Sequence, residues 1–279
     1  PTAKADTTGG CGGFGWDALA SRRFCFSSPS AASAPASFQP DVADLQRLAV
    51  ARVAPSKGAI ALGLTTDVPL RSGLSGSSAI LLATLRALDA HLDLGLAPLE
   101  MAQIAWDIER EDLGLVAGPQ DRVIQALGGL QYMDFSGPDE IGVHESLDPD
   151  LLPPLLVAWP KEPGTPSGDV HRALWERWSA GDSALRQSLA GFAEIADTGR
   201  QALLDRNTTT FCDAGDANFN LRRSIFTLDD EQATLVTAAR AAGAAAKFCG
   251  SGGAIVAVPR PGTYLDAVAD SLASGASVC

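Results

Sequence analysis

The sequence predicts an α/β protein built as two domains of similar size, and three observations carry that expectation. Short apolar runs of strand length alternate with helical periodicity from Asp44 onward. An acidic, proline-marked stretch over 137–150 separates two such alternations. A glycine-rich loop follows a strand-like run in each half. At 279 residues and 46% hydrophobic content, the chain has enough apolar side chains for two ordinary cores. The expected division is an atypical segment over 1–42, a first domain over 43–148 and a second over 149–279.

Residues 1–42 are rich in Gly, Ser, Ala and Pro and lack sustained periodicity. Gly10, Gly12 and Gly15 have the spacing of a dinucleotide fingerprint, but the polar residues before them make no strand, which argues against such a site. A helix is expected from Asp44 to about Ala51, then a strand over Ala59–Leu64. The loop Pro69 to Ser78 follows and runs directly into a helix whose Leu81, Leu85, Leu88 and Leu92 share one face, stopped near Gly95. Pro98 opens a second helix that buries Met101, Ile104, Ala105 and Ile108 and carries Glu109 at the edge of that face. Asp121 starts a short helix to Leu127, Gly128-Gly129 break it, and Leu130–Phe135 reads as a strand.

In the second half, Leu151–Trp159 is expected as a buried strand. Helices follow over Val170–Ser179 and Ala184–Asp205, and a further one places Asn218 and Arg222 on one stripe. Helix Glu231–Ala242, strand Ala244–Phe248, the loop Gly250-Ser251-Gly252-Gly253 and strand Ala254–Val258 complete the pattern.

The chemistry concentrates in three places. Gly73, Ser75, Gly76, Ser77 and Ser78 are small residues at a helix start, where exposed backbone N–H groups and the helix dipole favour a phosphate; a serine there can also be a simple N-cap. The spacing is not that of a Walker loop, so the loop supplies no lysine. Glu109 and Asp121 are carboxylates on either side of a glycine-containing loop, suited to holding magnesium and to receiving a proton from an attacking hydroxyl. The plainer alternatives are a helix cap for Asp121 and an ion pair of Glu109 with Arg110 or Arg122. Gly250, Ser251, Gly252 and Gly253 exceed what a tight hairpin needs and allow close backbone approach to a ligand.

Taken together, PLRSGLSGSSA (Pro69 to Ala79) and KFCGSGGAIV (Lys247 to Val256) resemble the second and third motifs of the GHMP superfamily of small-molecule kinases. AGPQDRVIQALGGLQYMDF (Ala117 to Phe135), LLPPL (Leu151 to Leu155) and AAAKFCGSGGA (Ala244 to Ala254) are similar to the branch of that family that acts on glucuronate. The similarity spans roughly 44–258. It implies the two-domain GHMP kinase fold with its active site in the interdomain cleft, and ATP-dependent phosphorylation of the anomeric hydroxyl of D-glucuronate. By position it makes Gly73, Ser75, Gly76, Ser77 and Ser78 the ATP phosphate site, Ser78 and Glu109 the Mg2+ ligands and Asp121 the base. Gly250, Ser251, Gly252, Gly253 and Arg222 line the substrate side, Arg222 for the sugar carboxylate. Galacturonate, heptose-phosphate or mevalonate kinases and a non-catalytic ligand-binding relative are the alternatives. The family's first motif, R-V-x-L-x-G, is not found in the chain; Ala51-Arg52-Val53 is the nearest string.

Composition limits the partners. A net charge of −12 without a basic cluster opposes nucleic-acid binding. No apolar run approaches ~18 residues and no secretory leader is legible, so a cytoplasmic protein with a small sugar-acid substrate and no membrane partner is expected. Five scattered cysteines read as free thiols, and three dispersed histidines exclude a histidine-based metal cage.

Overall fold

A computed structural model describes residues 3–4, 41–67, 72–115, 117–137, 139–161, 174, 176–225, 230–250 and 252–279. The glycine triplet at 10–15, loop residues 69–71, Ser251 and the first part of the helix expected over 170–179 lie outside the described residues. A two-residue strand, β1 (Ala3–Lys4), runs parallel to β2 (Leu62–Gly63), which is all that forms of the strand expected over 59–64.

Helix α1 (Val42–Val53) starts two residues earlier than its periodicity implied because Asp41 and Asp44 form a reciprocal capping box: Asp44 N–H donates to Asp41 at 2.7 Å and Asp41 N–H to Asp44 at 3.1 Å. Helix α2 (Gly76–Leu92) buries Leu81, Leu85 and Leu88 completely, while Leu92 sits at the margin of the core. Each such leucine contributes roughly 1.5–3 kcal/mol by burial. Helix α3 (Pro98–Asp107) opens on its proline and continues into a π-helical turn, Ile108–Asp112. Helix α4 (Gln120–Leu127) is short and ends at Gly128, and strand β3 (Leu130–Asp134) follows. The four helices share one core around Leu45, Leu81, Leu85, Ala105, Ile108 and Val123.

The stretch over 137–150 holds a strand that the sequence did not reveal: β4 (Val143–Leu147) pairs antiparallel with β3, Leu130 opposite Leu147. Its alternation is weak because most of its residues are exposed or half-buried. The β3–β4 hairpin joins the halves: Leu130 and Leu147 pack with Ala202, Leu203, Phe211 and Cys212. Tyr132 O–H donates to Asp197, and Arg200 pairs with Glu145 through two bonds of 2.8 Å.

The second half contains a four-stranded antiparallel sheet in the order β6-β7-β5-β8. Strand β5 (Leu156–Pro160) starts later than expected because Pro149–Leu151 form a 3₁₀ turn; β6 (Ala244–Phe248) matches its expected span. Strand β7 (Ile255–Pro259) follows the glycine loop. Helices α5 (Ser183–Leu204), α6 (Thr208–Ile225) and α7 (Asp230–Ala241) precede the β6–β7 pair, and α8 (Leu265–Ala273) with β8 (Ala276–Val278) completes the fold. Those last two elements were not anticipated from the sequence. Cys212 and Cys249 are free, as expected, whereas Cys279 is disulfide-bonded. Among the described residues no helix is long and apolar enough to cross a membrane.

Candidate active site

The first helical bond of α2 runs from Ala79 N–H to the Ser75 carbonyl at 3.1 Å, so the amides of Gly76, Ser77 and Ser78 lie outside the intrahelical ladder. Those donors, at the positive end of a helix dipole, are what an anion requires. Ser75 precedes them in the left-handed region at φ 56°, a conformation that costs a non-glycine residue energy. Its side chain makes no cap bond. The simple N-cap reading of this serine therefore does not hold.

Asp121 lies in the first turn of α4. Desolvation by surrounding protein raises its pKa above the ordinary aspartate value, and the hydrogen bond from Ser75 partly opposes that rise. Its side chain still keeps 40% exposure. A carboxylate partly desolvated by protein yet open to solvent can serve as a proton acceptor for a bound hydroxyl.

Glu109 is 1% exposed, on the π-helical turn. The sequence placed it at the edge of a buried face, presenting its carboxylate; the structure turns it inward to form an ion pair with Arg122, itself 5% exposed. The π-turn explains the difference, since its wider register rotates Glu109 off the face that α-helical counting assigns. The ion pair expected at the surface as the plainer alternative is therefore present but buried. It is a charge contact without an aligned hydrogen bond, because Glu109 Oε2 accepts none. Arg122 also donates to the Gly118 carbonyl at 2.8 Å and lies 3.8 Å from Asp121, so one guanidinium lies beside both carboxylates. Burial pulls its pKa down to about 9, still above neutrality, and it stays cationic. Trp106 N–H donates to Ala117 at 2.8 Å and holds the loop between the carboxylates.

The glycine loop after β6 meets the loop before α2 backbone to backbone. Ala254 N–H donates to the Ser72 carbonyl at 2.7 Å. A Cβ on Gly253 would lie 2.7 Å from Ser72 O, one on Gly250 3.0 Å from Gly73 O, and one on Gly73 inside the contact distance of Gly252 O. This approach answers why the segment carries more glycine than a hairpin needs. Gly253→Ala should cost at least about 1–2 kcal/mol from its left-handed backbone alone, at φ 84°, and lower the thermal midpoint by several degrees. A melting curve superimposable on that of the parent would show that the two loops do not depend on this contact.

Arg222 is 4% exposed and donates to the Gly250 carbonyl at 3.1 Å, with its guanidinium 5.5 Å from the Phe248 ring. Burial pulls its pKa down to about 10. The structure thus gathers Ser75, Asp121, Arg122 and Glu109 on one side of the loop contact and Arg222 with Gly250 on the other. Sequence reasoning missed Trp106 and Gln125 and treated Arg122 only as a surface partner; the one-turn spacing of Asp121 and Gln125 was a usable signal.

Amides free of the helical ladder at the start of α2 thus lie near two carboxylates, with the glycine loop after β6 packed against the loop that precedes that helix. Residues 43–129 match the GHMP kinases N terminal domain. Glucuronokinase 1 of Arabidopsis thaliana is 39% identical over 204 residues, covering 70% of this chain and 56% of that protein. The chain spans about half the length of the curated relatives it matches. The Methanococcus jannaschii mevalonate kinase structure aligns with TM-score 0.66 at 14% identity over 84% of this chain and 72% of that one. Lactococcus lactis galactokinase complexed with galactose aligns with TM-score 0.65 at 18% identity, over 85% and 73% of the two chains. The chain accordingly matches the GHMP kinases N terminal domain over residues 43–129, has the fold of the GHMP kinase structures, and is similar in sequence to glucuronokinases.

Proposed function

We propose that this chain carries the site of an ATP-dependent sugar kinase that phosphorylates the anomeric hydroxyl of D-glucuronate, giving glucuronate 1-phosphate and ADP. The observation that carries the reading is the docking of α4 on the start of α2: Gln125 donates to the Ser75 carbonyl, so the partly exposed Asp121, one turn earlier on the same helix, faces amides that lie outside the helical ladder. The γ-phosphate binds the amides of Gly76, Ser77 and Ser78, with Gly73 and Ser75 shaping the approach. The sugar hydroxyl forms a bond to the γ-phosphorus as the bond from that phosphorus to the β-phosphate oxygen breaks, and its proton passes to Asp121. Gly250, Gly252 and Gly253 wall the substrate side, with Arg222 holding Gly250.

Hard oxygen donors suit Mg2+, and the residues present fit it. Ser78 Oγ is buried without a hydrogen-bond partner, while Glu109 Oε2 is held by the Arg122 guanidinium. Among the described residues no group of three or more His, Cys, Asp or Glu could hold a metal alone, which accords with an ion that takes most of its ligands from phosphates and water. Ser78 and Glu109 would hold it, and when bound it neutralises phosphate charge.

The test is ADP release by the protein with ATP, Mg2+ and a panel of D-glucuronate, D-galacturonate, a heptose phosphate and mevalonate. Turnover with D-glucuronate well above the others is expected. Preference for another acceptor reassigns the substrate, and no turnover with any acceptor overturns the kinase reading in favour of a ligand-binding relative.

A further inference from the structure

We propose that Gln125, which has no assigned role, is a positioning residue for the phosphate loop: it holds Ser75 in its left-handed conformation. The proposal rests on the kinase reading of the same loop. Asp121 and Gln125 lie one helical turn apart on α4 and so face the same neighbour. Gln125 Nε2 donates to the Ser75 carbonyl at 3.1 Å. That carbonyl therefore accepts two donors, the Gln125 amide and the first helical amide, Ala79 N–H.

The geometry gives Gln125 a specific task. Ser75 sits at φ 56° without a glycine's freedom, and its peptide orientation determines where the amides of Gly76, Ser77 and Ser78 point. A residue in such a conformation persists where its surroundings over-determine it. Gln125 is itself tied down: Arg86, on α2, donates to the Gln125 carbonyl at 2.5 Å and to the Ala126 carbonyl at 3.1 Å, a cation at the end of α4 where the last carbonyls lack helical partners. Helices α2 and α4 are thus bonded reciprocally, one at the start of α2 and one at the end of α4.

The experiment compares the full chain with Gln125→Leu, Ser75→Gly and the double variant. Binding of a non-hydrolysable ATP analogue with Mg2+ is measured by calorimetry, and amide hydrogen exchange of the 72–79 segment is measured without nucleotide. Gln125→Leu is expected to weaken nucleotide binding about fivefold to tenfold and to speed exchange in the segment. In the Ser75→Gly background the same substitution should change binding by less than about twofold, because glycine adopts the left-handed region unaided. Equal losses in both backgrounds, or unchanged exchange after Gln125→Leu, would overturn the proposal. If the parent chain binds no nucleotide yet exchange responds as expected, the positioning role stands and the kinase reading falls.

Discussion

Asp121→Asn is expected to lower kcat for sugar phosphorylation by roughly 10²–10⁴, the range in which a positioned proton acceptor contributes, while nucleotide affinity changes little. The asparagine keeps the shape and can still accept from Ser75, so the loop is preserved and only the proton-accepting group is lost. The pH dependence supplies a second reading. Burial raises the Asp121 pKa above its ordinary 3.8, and the base works deprotonated, so kcat should climb with pH through that raised value and the acid limb should vanish in the variant. Stability has the opposite sign. For a group whose folded pKa exceeds its unfolded one, the contribution is fully present below the unfolded pKa and is lost as pH rises through the folded value. Asp121→Asn should therefore melt no lower than the parent at neutral pH, with its relative advantage shrinking toward acid. A variant that melts lower at neutral pH and retains turnover would assign Asp121 a structural role instead.

The parts of the site legible in the sequence were those carried by local pattern. Gly73 through Ser78 announced a loop running into a helix, and Leu81, Leu85 and Leu88 at one-turn spacing fixed which face that helix buries. Pro98 marked the start of α3, and Gly128-Gly129 the end of α4. What stayed hidden depends on contacts distant in sequence or on departures from ideal period. Counting at α-helical spacing cannot anticipate the π-turn that rotates Glu109 inward. No local signal tells that Arg122 faces Glu109 rather than water, since an arginine one residue past an aspartate reads as an exposed position. Strand β4 was obscured because its pairing with β3, not its hydrophobicity, makes it a strand. The excess glycine at 250–253 was noticed, but its reason, the backbone of the 72–73 loop lying against it, is a tertiary fact.

Arg122→Met should be the most damaging single substitution for stability in the site, costing about 3–5 kcal/mol, the usual loss when one partner of a buried ion pair is removed. For a chain of this length that lowers the thermal midpoint on the order of 10 °C. The cost arises because Glu109, at 1% exposure, is left charged without its counter-ion. Removal of the bond to Gly118 also loosens the loop that Trp106 holds from its other side. The double variant Glu109→Leu/Arg122→Met separates these causes. Replacing both charges with apolar groups removes the stranded carboxylate, so most of the lost stability should return. Turnover should not return, because Glu109 no longer offers an oxygen ligand and the loop lacks its Gly118 anchor. A double-mutant cycle measured by thermal or denaturant unfolding gives the coupling directly. Near-additive losses would mean that the two charges do not depend on each other and that Arg122 acts only through Gly118. Strong coupling with activity still absent would show that a pair costly to bury is retained for the position it gives the carboxylate rather than for the stability it lends the fold.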